Sequence, residues 1–248
     1  SILIIEVQSL AVKDNIIFDS ILIIEVQSLA VKDNIIFDSI LIIEVQSLAV
    51  KDNIIFVGTN GTGIHRTTNL GATWSSTNSG LSNLYVSNLF IKADSIFAST
   101  KGGGISFSIN NGSTWIGINN GLSNQHIRSF SSKNSICHAA TESGIFRSEN
   151  DGNLWKKMQH GLPSTFIGNS FYLYNNLIFV TGNDGVFVSK ITDTSWIPLR
   201  NGFLPNETIT SITSIDSLLF AGTETRGVFK NYYTFGCFNT PEISISYS

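Results

Sequence analysis

Tryptophan recurs along this 248-residue chain at an almost constant interval. The four tryptophans are separated by 41, 40 and 41 residues, and each follows a glycine by 11 residues. Self-similarity at such a fixed period indicates one supersecondary unit that is repeated and stacked on its neighbours. The tryptophans are Trp74, Trp115, Trp155 and Trp196, and the glycines are Gly63, Gly104, Gly144 and Gly185.

Each unit contains four short segments rich in β-branched and aromatic residues, separated by Gly, Asn, Asp and Pro. No window has the 3.6-residue apolar period of a helix, and four strands in a unit of this length are typical of a propeller blade. We therefore predict an all-β fold, a β-propeller of about five four-stranded antiparallel blades. The predicted blades are 45–84, 85–125, 126–165, 166–207 and a partial fifth at 208–248.

A shared phrase precedes the last strand of three units and reads SINNGSTW in one of them. Its Asn suits a tight turn because the side chain can hydrogen-bond the nearby backbone, and its Gly tolerates positive φ. Each Trp is expected to pack between neighbouring sheets, where full burial stabilises by about 4–6 kcal/mol at most. The phrase comprises Thr67, Asn69, Gly71 and Trp74; Ser108, Asn110, Gly112 and Trp115; and Ser148, Asn150, Gly152 and Trp155.

This phrase resembles the Asp box, also called the bacterial neuraminidase (BNR) repeat, in which an Asp stands where these copies have Asn. A fourth copy keeps Ser189 and Trp196 but has Asp193 at the Gly position. The resemblance extends from Val45 to about Phe238 and implies a sialidase-like β-propeller. Such propellers usually have six to eight blades, so it also implies an incomplete or irregular ring here. The family includes sialidases, xyloglucanases, sorting receptors and photosystem assembly factors, so the resemblance indicates fold rather than activity.

The N-terminal segment carries a second and different repeat. SILIIEVQSLAVKDNIIFD fills residues 1–19, recurs identically at 20–38, and begins again at Ser39 before the sequence departs at Val57. Each copy holds only the first two strands of a blade. We therefore expect residues 1–44 to be duplicated hairpin segments that either extend the first blade or hang loose, incidental to the propeller. ILIIEV is strongly β-prone and nearly uncharged, so an unpaired copy would promote aggregation.

Candidate binding residues lie in the Gly-rich loops between the second and third strands. Strand order places these loops on the face opposite the Asp-box turns, and in families that this chain resembles, ligands bind that face. The loops differ from unit to unit within an otherwise regular repeat, and such variation is where recognition would be located. Solvated loop residues without a ligand are the alternative. The candidates are Asn60, Lys101, Glu142, Asp184, Glu224 and Arg226.

Arg128 is a further binding candidate. It occupies the second position of its unit's first strand, where the other units have Gln46, Ser87, Gly168 and Thr210. That position is expected to open onto the central channel near the loop face, where an arginine could clamp a carboxylate. A salt bridge inside the channel is the alternative.

For function, we expect a non-catalytic binding or scaffold module that recognises a protein or glycan ligand. A monomer, secreted or in the cell envelope, is expected. The alternative is a glycoside hydrolase of the sialidase or xyloglucanase type. By resemblance, a sialidase requires three converging arginines and a Tyr–Glu pair, and no such set is evident among the five arginines, so no catalytic residue is assigned. In a hydrolase, Glu142 and Asp184 on adjacent blades would be the carboxylate pair.

Composition excludes several other classes. A net charge of −3 without a basic block gives no electrostatic footprint for nucleic acid. The histidines lack metal-binding spacing, and Cys137 and His138 are consecutive in a strand and point to opposite faces, so neither a metal nor a cofactor is predicted. No stretch of 18 apolar residues predicts membrane insertion. The chain begins with Ser1 and without a recognisable signal peptide, which indicates a fragment or a processed product.

Overall fold

The computed structural model describes residues 45–199, 207–215 and 218–232, together with short strands between residues 5 and 37. The chain divides into two compact units, Ser1–Ile127 and Arg128–Ser248, each with its own sheets and core. Every regular element in the described residues is a β-strand, as predicted. Within these ranges there is no helix of the length and apolar character needed to cross a membrane.

The N-terminal copies contribute six short strands that pair in parallel with their own counterparts. Equivalent residues face each other in register, for example Ile5 with Ile24 and Leu10 with Leu29. The sequence predicts hairpins here, whereas the described pairings connect equivalent strands of successive copies. The strands are β1 (Ile5–Val7), β2 (Leu10–Lys13), β3 (Ile17–Phe18), β4 (Ile24–Val26), β5 (Leu29–Lys32) and β6 (Ile36–Phe37).

The first unit also contains two antiparallel sheets, blade 1 and blade 2, in which each strand pairs with the next along the chain. Strands β1 and β4 extend blade 1 to six strands in the order β1-β4-β7-β8-β9-β10. Blade 1 comprises β7 (Val45–Lys51), β8 (Ile54–Thr59), β9 (Ile64–Thr67) and β10 (Ser75–Ser76). Blade 2 comprises β11 (Val86–Lys92), β12 (Ser95–Thr100), β13 (Gly104–Ser108) and β14 (Ile116–Gly117).

The second unit contains two further four-stranded blades and a sheet with three described strands. Together with the first unit, this confirms an all-β fold of about five antiparallel blades. Blade 3 comprises β15 (Ile127–Lys133), β16 (Ile136–Thr141), β17 (Gly144–Ser148) and β18 (Trp155–Lys157). Blade 4 comprises β19 (Gly168–Tyr174), β20 (Leu177–Gly182), β21 (Gly185–Lys190) and β22 (Ile197–Leu199). Blade 5 comprises β23 (Ile209–Ile215), β24 (Leu218–Thr223) and β25 (Val228–Tyr232).

The hydrophobic core of each unit lies between successive blades. In the first unit, Phe56 and Ile64 of blade 1 pack with Trp115 of blade 2. In the second unit, Ile145 of blade 3 packs with Trp196 of blade 4. In blades 1 to 4 the second strand is buried at five or six consecutive positions, so residues on both of its faces are shielded from solvent.

Three of the four repeating tryptophans are buried as predicted: Trp115, Trp155 and Trp196 are 3%, 2% and 3% exposed. The indole Nε1 of Trp115 donates to the carbonyl oxygen of Thr77 in the preceding blade at 2.8 Å. Trp74 is only partly buried, which differs from the prediction. It belongs to blade 1, the first blade along the chain.

The repeated phrase forms the same hydrogen-bonded turn three times. In blade 2, Ser108 Oγ donates to Asn110 Oδ1 at 2.8 Å and accepts from Gly112 N at 2.9 Å. Asn110 Oδ1 also accepts from the backbone N of Thr114 at 3.0 Å, and its Nδ2 donates to the Thr114 hydroxyl at 2.9 Å.

The backbone of these turns is left-handed at two consecutive residues. Asn111 and Gly112 have φ of 53° and 77°, and Asn110 O accepts from Ser113 N at 3.1 Å. Positive φ at both central residues defines a type I′ turn. The sequence predicts positive φ at the glycine alone; the residue before it adopts positive φ too because the side-chain bonds of Asn110 fix the turn.

The segment that connects one blade to the next contacts the backbone of the next blade's tryptophan. The backbone N of Trp115 donates to Ser79 O at 2.8 Å, and a Cβ at the intervening Gly80 would lie 2.2 Å from Trp115 O. Gly161 stands in the same relation to Trp196, at 2.0 Å. Both glycines have positive φ, so no other residue fits without displacing the tryptophan backbone.

The first prediction concerns this contact. We expect Gly80→Ala to lower the free energy of unfolding by more than about 3 kcal/mol, because it adds a backbone clash to the strain of positive φ. Gly185→Ala is the matched control: Gly185 also has positive φ, but nothing lies within 4 Å of its Cβ position. It should cost only about 1–2 kcal/mol. Urea denaturation measures both, and equal losses would contradict a tight contact between the blades.

His138 is a fully buried histidine in the second strand of blade 3. Its ring packs against Phe171 and Trp196, with centroids 6.0 and 6.3 Å away, and neither ring nitrogen has a hydrogen-bond partner. Burial, and secondarily the positive charge of Arg147 on the neighbouring strand, lowers the pKa of His138 from 6.5 to about 3. The folded protein therefore keeps this imidazole neutral, while the unfolded chain protonates it near pH 6.5.

The second prediction follows from that difference. Because the folded-state pKa lies below the unfolded one, stability is complete above pH 6.5 and is lost as the pH falls towards 3, by about 5 kcal/mol in total. Carboxylates also make the unfolding free energy depend on pH, so the test compares the pH dependence of variants with that of the wild type. His138→Phe should show a shallower loss of unfolding free energy between pH 7 and 4 than the wild type. The exposed His160→Phe should match the wild type, and parallel slopes for all three proteins would contradict the prediction.

Candidate functional site

The Gly-rich loops of the first unit enclose carbonyl oxygens of the chain itself. In blade 1, Leu84 O accepts from the backbone N of Gly61 at 3.1 Å and of Gly63 at 3.0 Å. In blade 2, Gln125 O accepts from the two equivalent glycines, both at 3.0 Å. These backbone amides donate to carbonyl oxygens of the chain, so they are not available to bind an anion. A ligand on this face would therefore be bound by side chains.

Four residues of the first unit form a continuous row on the loop face, which we call the loop-face row. Asn60 and Tyr85 form an antiparallel bridge, and Lys101 and His126 form another. Lys101 N donates to Tyr85 O at 2.8 Å and so connects the two bridges. The row thus runs from the Gly-rich loop of blade 1 to the segment that follows blade 2.

The two rings of the row lie over glycines, which have no side chain to exclude them. The Cβ position of Gly61 is 3.5 Å from the Tyr85 ring, and that of Gly102 is 3.4 Å from Nε2 of His126. Tyr85 is 51% exposed, and Lys101 and His126 are exposed as well. The row therefore presents two aromatic rings and a primary amine to solvent.

The local sequence explains why both rings take equivalent positions. Tyr85 and His126 each end a segment that begins with Leu-Ser-Asn. The Oδ1 of Asn83 accepts from Tyr85 N at 2.8 Å, and that of Asn124 accepts from His126 N at 2.9 Å. Sequence reasoning selected Asn60 and Lys101 of this row but missed both rings. The recurrence of Leu-Ser-Asn two residues before an aromatic side chain is the signal that could have found them.

The described Gly-rich loops and interblade segments of the first unit carry no carboxylate. These loops (59–63 and 100–104) and segments (78–85 and 119–126) contain Lys101 and His126 but neither Asp nor Glu. Cationic and aromatic side chains in segments that lack acids favour ligands that combine negative charge with apolar groups.

The other predicted residues lie in the second unit. Glu142 is exposed in the β16–β17 loop, Asp184 is partly buried in the β20–β21 loop, and Glu224 is exposed after β24. Arg226 Nε pairs with Glu207 Oε2 at 3.3 Å, and the side chains of these two residues are 54% and 9% exposed. Sequence reasoning missed Glu207, a nearly buried carboxylate, because nothing in its local pattern indicates that Arg226 lies beside it.

Arg128 occupies a position that elsewhere connects successive blades. At this position Ser87 Oγ and Asn169 Nδ2 each donate to a carbonyl oxygen at the start of the next blade's first strand, at 2.7 and 3.1 Å. The equivalent residue in blade 4 is Asn169 rather than Gly168, which corrects the sequence alignment by one residue, since Gly168 pairs with Gly182 before a β-bulge. Arg128 itself is exposed, and its assignment to a binding site stays a prediction.

Two other arginines have structural partners. Arg147 Nη2 donates to the carbonyl oxygens of Ile191 and Thr192 in blade 4, at 3.3 and 3.2 Å. Arg66 Nη1 donates to the carbonyl oxygen of Asn111 in blade 2. Both side chains thus connect the third strand of one blade to the turn that follows the third strand of the next. Among the residues that the structure describes, no three His, Cys, Asp or Glu side chains are grouped to hold a metal ion.

No family model and no curated protein matches this chain. Solved structures do match. The extracellular domain of BT4673 from B. thetaiotaomicron aligns with 76% of this chain at a TM-score of 0.64 and 16% identity. YCF48 bound to D1 peptide aligns with 76% at 0.57 and 13% identity. The GH74 xyloglucanase from Xanthomonas campestris aligns with 76% at 0.55 and 14% identity.

At these identities the likenesses show the fold, which is a β-propeller. The aligned regions cover 26% of the BT4673 domain, 63% of YCF48 and 36% of the xyloglucanase. The chain therefore spans less than two thirds of each of these proteins. The three include an enzyme, an extracellular domain and a peptide-bound protein, so the fold alone is compatible with either catalysis or binding.

Proposed function

We propose that this chain is a non-catalytic binding module that holds an acidic segment of a partner protein on the loop-face row. The observation that carries the proposal is the exposed alignment of Tyr85, Lys101 and His126, which lie in described loops and interblade segments that contain no carboxylate. Their positions are fixed by backbone pairing, so little conformational entropy is lost when a ligand binds. An extracellular or cell-envelope location belongs to the proposal and is supported by the likeness to an extracellular domain.

A protein ligand fits this surface better than a purely anionic one. Leu84, beside Tyr85, is 40% exposed, so apolar area lies next to the amine of Lys101. A peptide can supply a carboxylate to the amine and an apolar side chain to the rings at the same time. The likeness to YCF48, a propeller that was solved with a peptide bound, supports the same class of ligand.

The third prediction tests the row with a defined probe, a fluorescein-labelled decapeptide of alternating Glu and Leu, by fluorescence anisotropy at low salt. We expect Lys101→Glu to weaken binding by at least about tenfold, because repulsion replaces attraction, and Tyr85→Ala to weaken it several-fold. Lys190→Glu is the matched control, since Lys190 is exposed at the opposite end of its strand from a Gly-rich loop. It should change binding less than about twofold.

Labelled oligogalacturonate, an acidic glycan, is measured in parallel. If the chain binds this glycan through Lys101 and does not bind the peptide, the ligand class is a glycan and the protein assignment is wrong. If Lys101→Glu and Lys190→Glu weaken binding equally, the probe responds to net charge, and the loop-face row is not the binding surface. No binding of either probe at low salt would overturn the proposal as well.

A second candidate function is glycoside hydrolysis. It is favoured by the likeness to a xyloglucanase and by carboxylates in equivalent loops of successive blades, Glu142 and Asp184. The fourth prediction is that xyloglucan and sialyllactose are not hydrolysed by the wild-type chain, as measured by reducing-sugar and free sialic acid release. Turnover that is abolished by either Glu142→Gln or Asp184→Asn would instead establish the hydrolase and its acid pair.

A further inference from the structure

The N-terminal copies pair with each other as identical strands, aligned residue for residue. β1 pairs with β4 through Ile5–Ile24, Glu6–Glu25 and Val7–Val26, and β2 pairs with β5 over four residues in the same register. The next step of the stack joins β4 to β7, where Val26 pairs with Val45. Residues 7, 26 and 45 are therefore equivalent positions of three successive copies.

This arrangement makes the choice of partner strand ambiguous. Copies one and two have the same 19-residue sequence, so the edge of β7 that accepts β4 would accept β1 equally well. For the same reason, neither β7 nor β4 can distinguish a copy in its own chain from one in another molecule. The hydrophobic pattern that sets strand register is the same in both copies, so it does not discriminate between them as partners.

We propose that the N-terminal copies form a self-association surface, on which a second molecule of this chain adds its first copy by parallel, in-register pairing. β1 ends the six-stranded sheet, and its outer edge repeats the edge by which β4 accepts β1. When the first copy of one molecule separates from its own β4, the edge of β1 that had paired with β4 becomes free. This edge can then pair with the outer edge of β1 in a second molecule. The number of paired strands is unchanged, and the β4 edge of the first molecule is now free to accept another copy.

Such an exchange is heterologous and does not close on itself. Each addition leaves another accepting edge, so oligomers grow with concentration instead of stopping at a dimer. The pairing of identical, β-prone segments in register is also the arrangement that stabilises cross-β assemblies. The proposal replaces the expectation of a monomer, and it is independent of the loop-face row, which lies within residues 60–126.

The fifth prediction uses the full chain and light scattering coupled to size-exclusion chromatography, from about 1 to about 100 µM. We expect the weight-average mass to rise at least twofold over this range in the wild type. Ile5→Pro combined with Ile24→Pro should abolish the rise, because proline cannot donate to a strand ladder. Ile5→Val combined with Ile24→Val is the matched control and should associate like the wild type. Buried-tryptophan fluorescence confirms that the blades stay folded.

A second variant keeps the test independent of proline. Ile5→Lys combined with Ile24→Lys should also abolish the rise, because lysine on an edge strand opposes pairing with another strand. A constant monomer mass in the wild type would overturn the proposal. So would oligomers that the paired proline substitutions leave unchanged, since these would arise from another surface.

Discussion

The contact between a tryptophan and the preceding blade is the interaction on which the rest of this structure depends. Trp115 donates its indole N–H to Thr77 and its backbone N–H to Ser79, and its carbonyl lies directly against Gly80. One residue thereby buries a large apolar area and fixes the position of the next sheet. A blade cannot cover both of its faces alone, so this contact turns a set of marginal sheets into a stacked array.

That contact also explains why the opposite end of the blades can carry variable side chains. The interblade segment is bound to the tryptophan at its start and to the Gly-rich loop at its end, through Leu84 O in blade 1. Its last residue, Tyr85, is therefore held in place while its ring stays exposed. Because backbone bonds maintain the geometry, the side chains of the loop-face row are free to vary without loss of the fold. A rigid scaffold with variable loops is a common arrangement in binding proteins.

The sequence predicted the blades, the turns of the repeated phrase and the burial of three tryptophans, because each depends on local periodicity or local turn chemistry. It did not predict the half-buried state of Trp74 or the burial of His138 without a partner. At the candidate site it selected Asn60 and Lys101 from loop variation. It missed Tyr85 and His126 because their exposure is decided by glycines on another segment of the chain.

By itself, the sequence determined the period, the number of strands per blade and the face on which the loops lie, since spacing and turn residues act over a few positions. Tertiary structure decided which residues meet: the backbones of Tyr85 and Lys101, the side chains of Arg226 and Glu207, and the paired strands of the first and second N-terminal copies. The physical reason is that such contacts join residues far apart in the chain. Their free energy depends on packing and hydrogen bonds that no single segment encodes, whereas a type I′ turn or a buried strand is specified by its own residues.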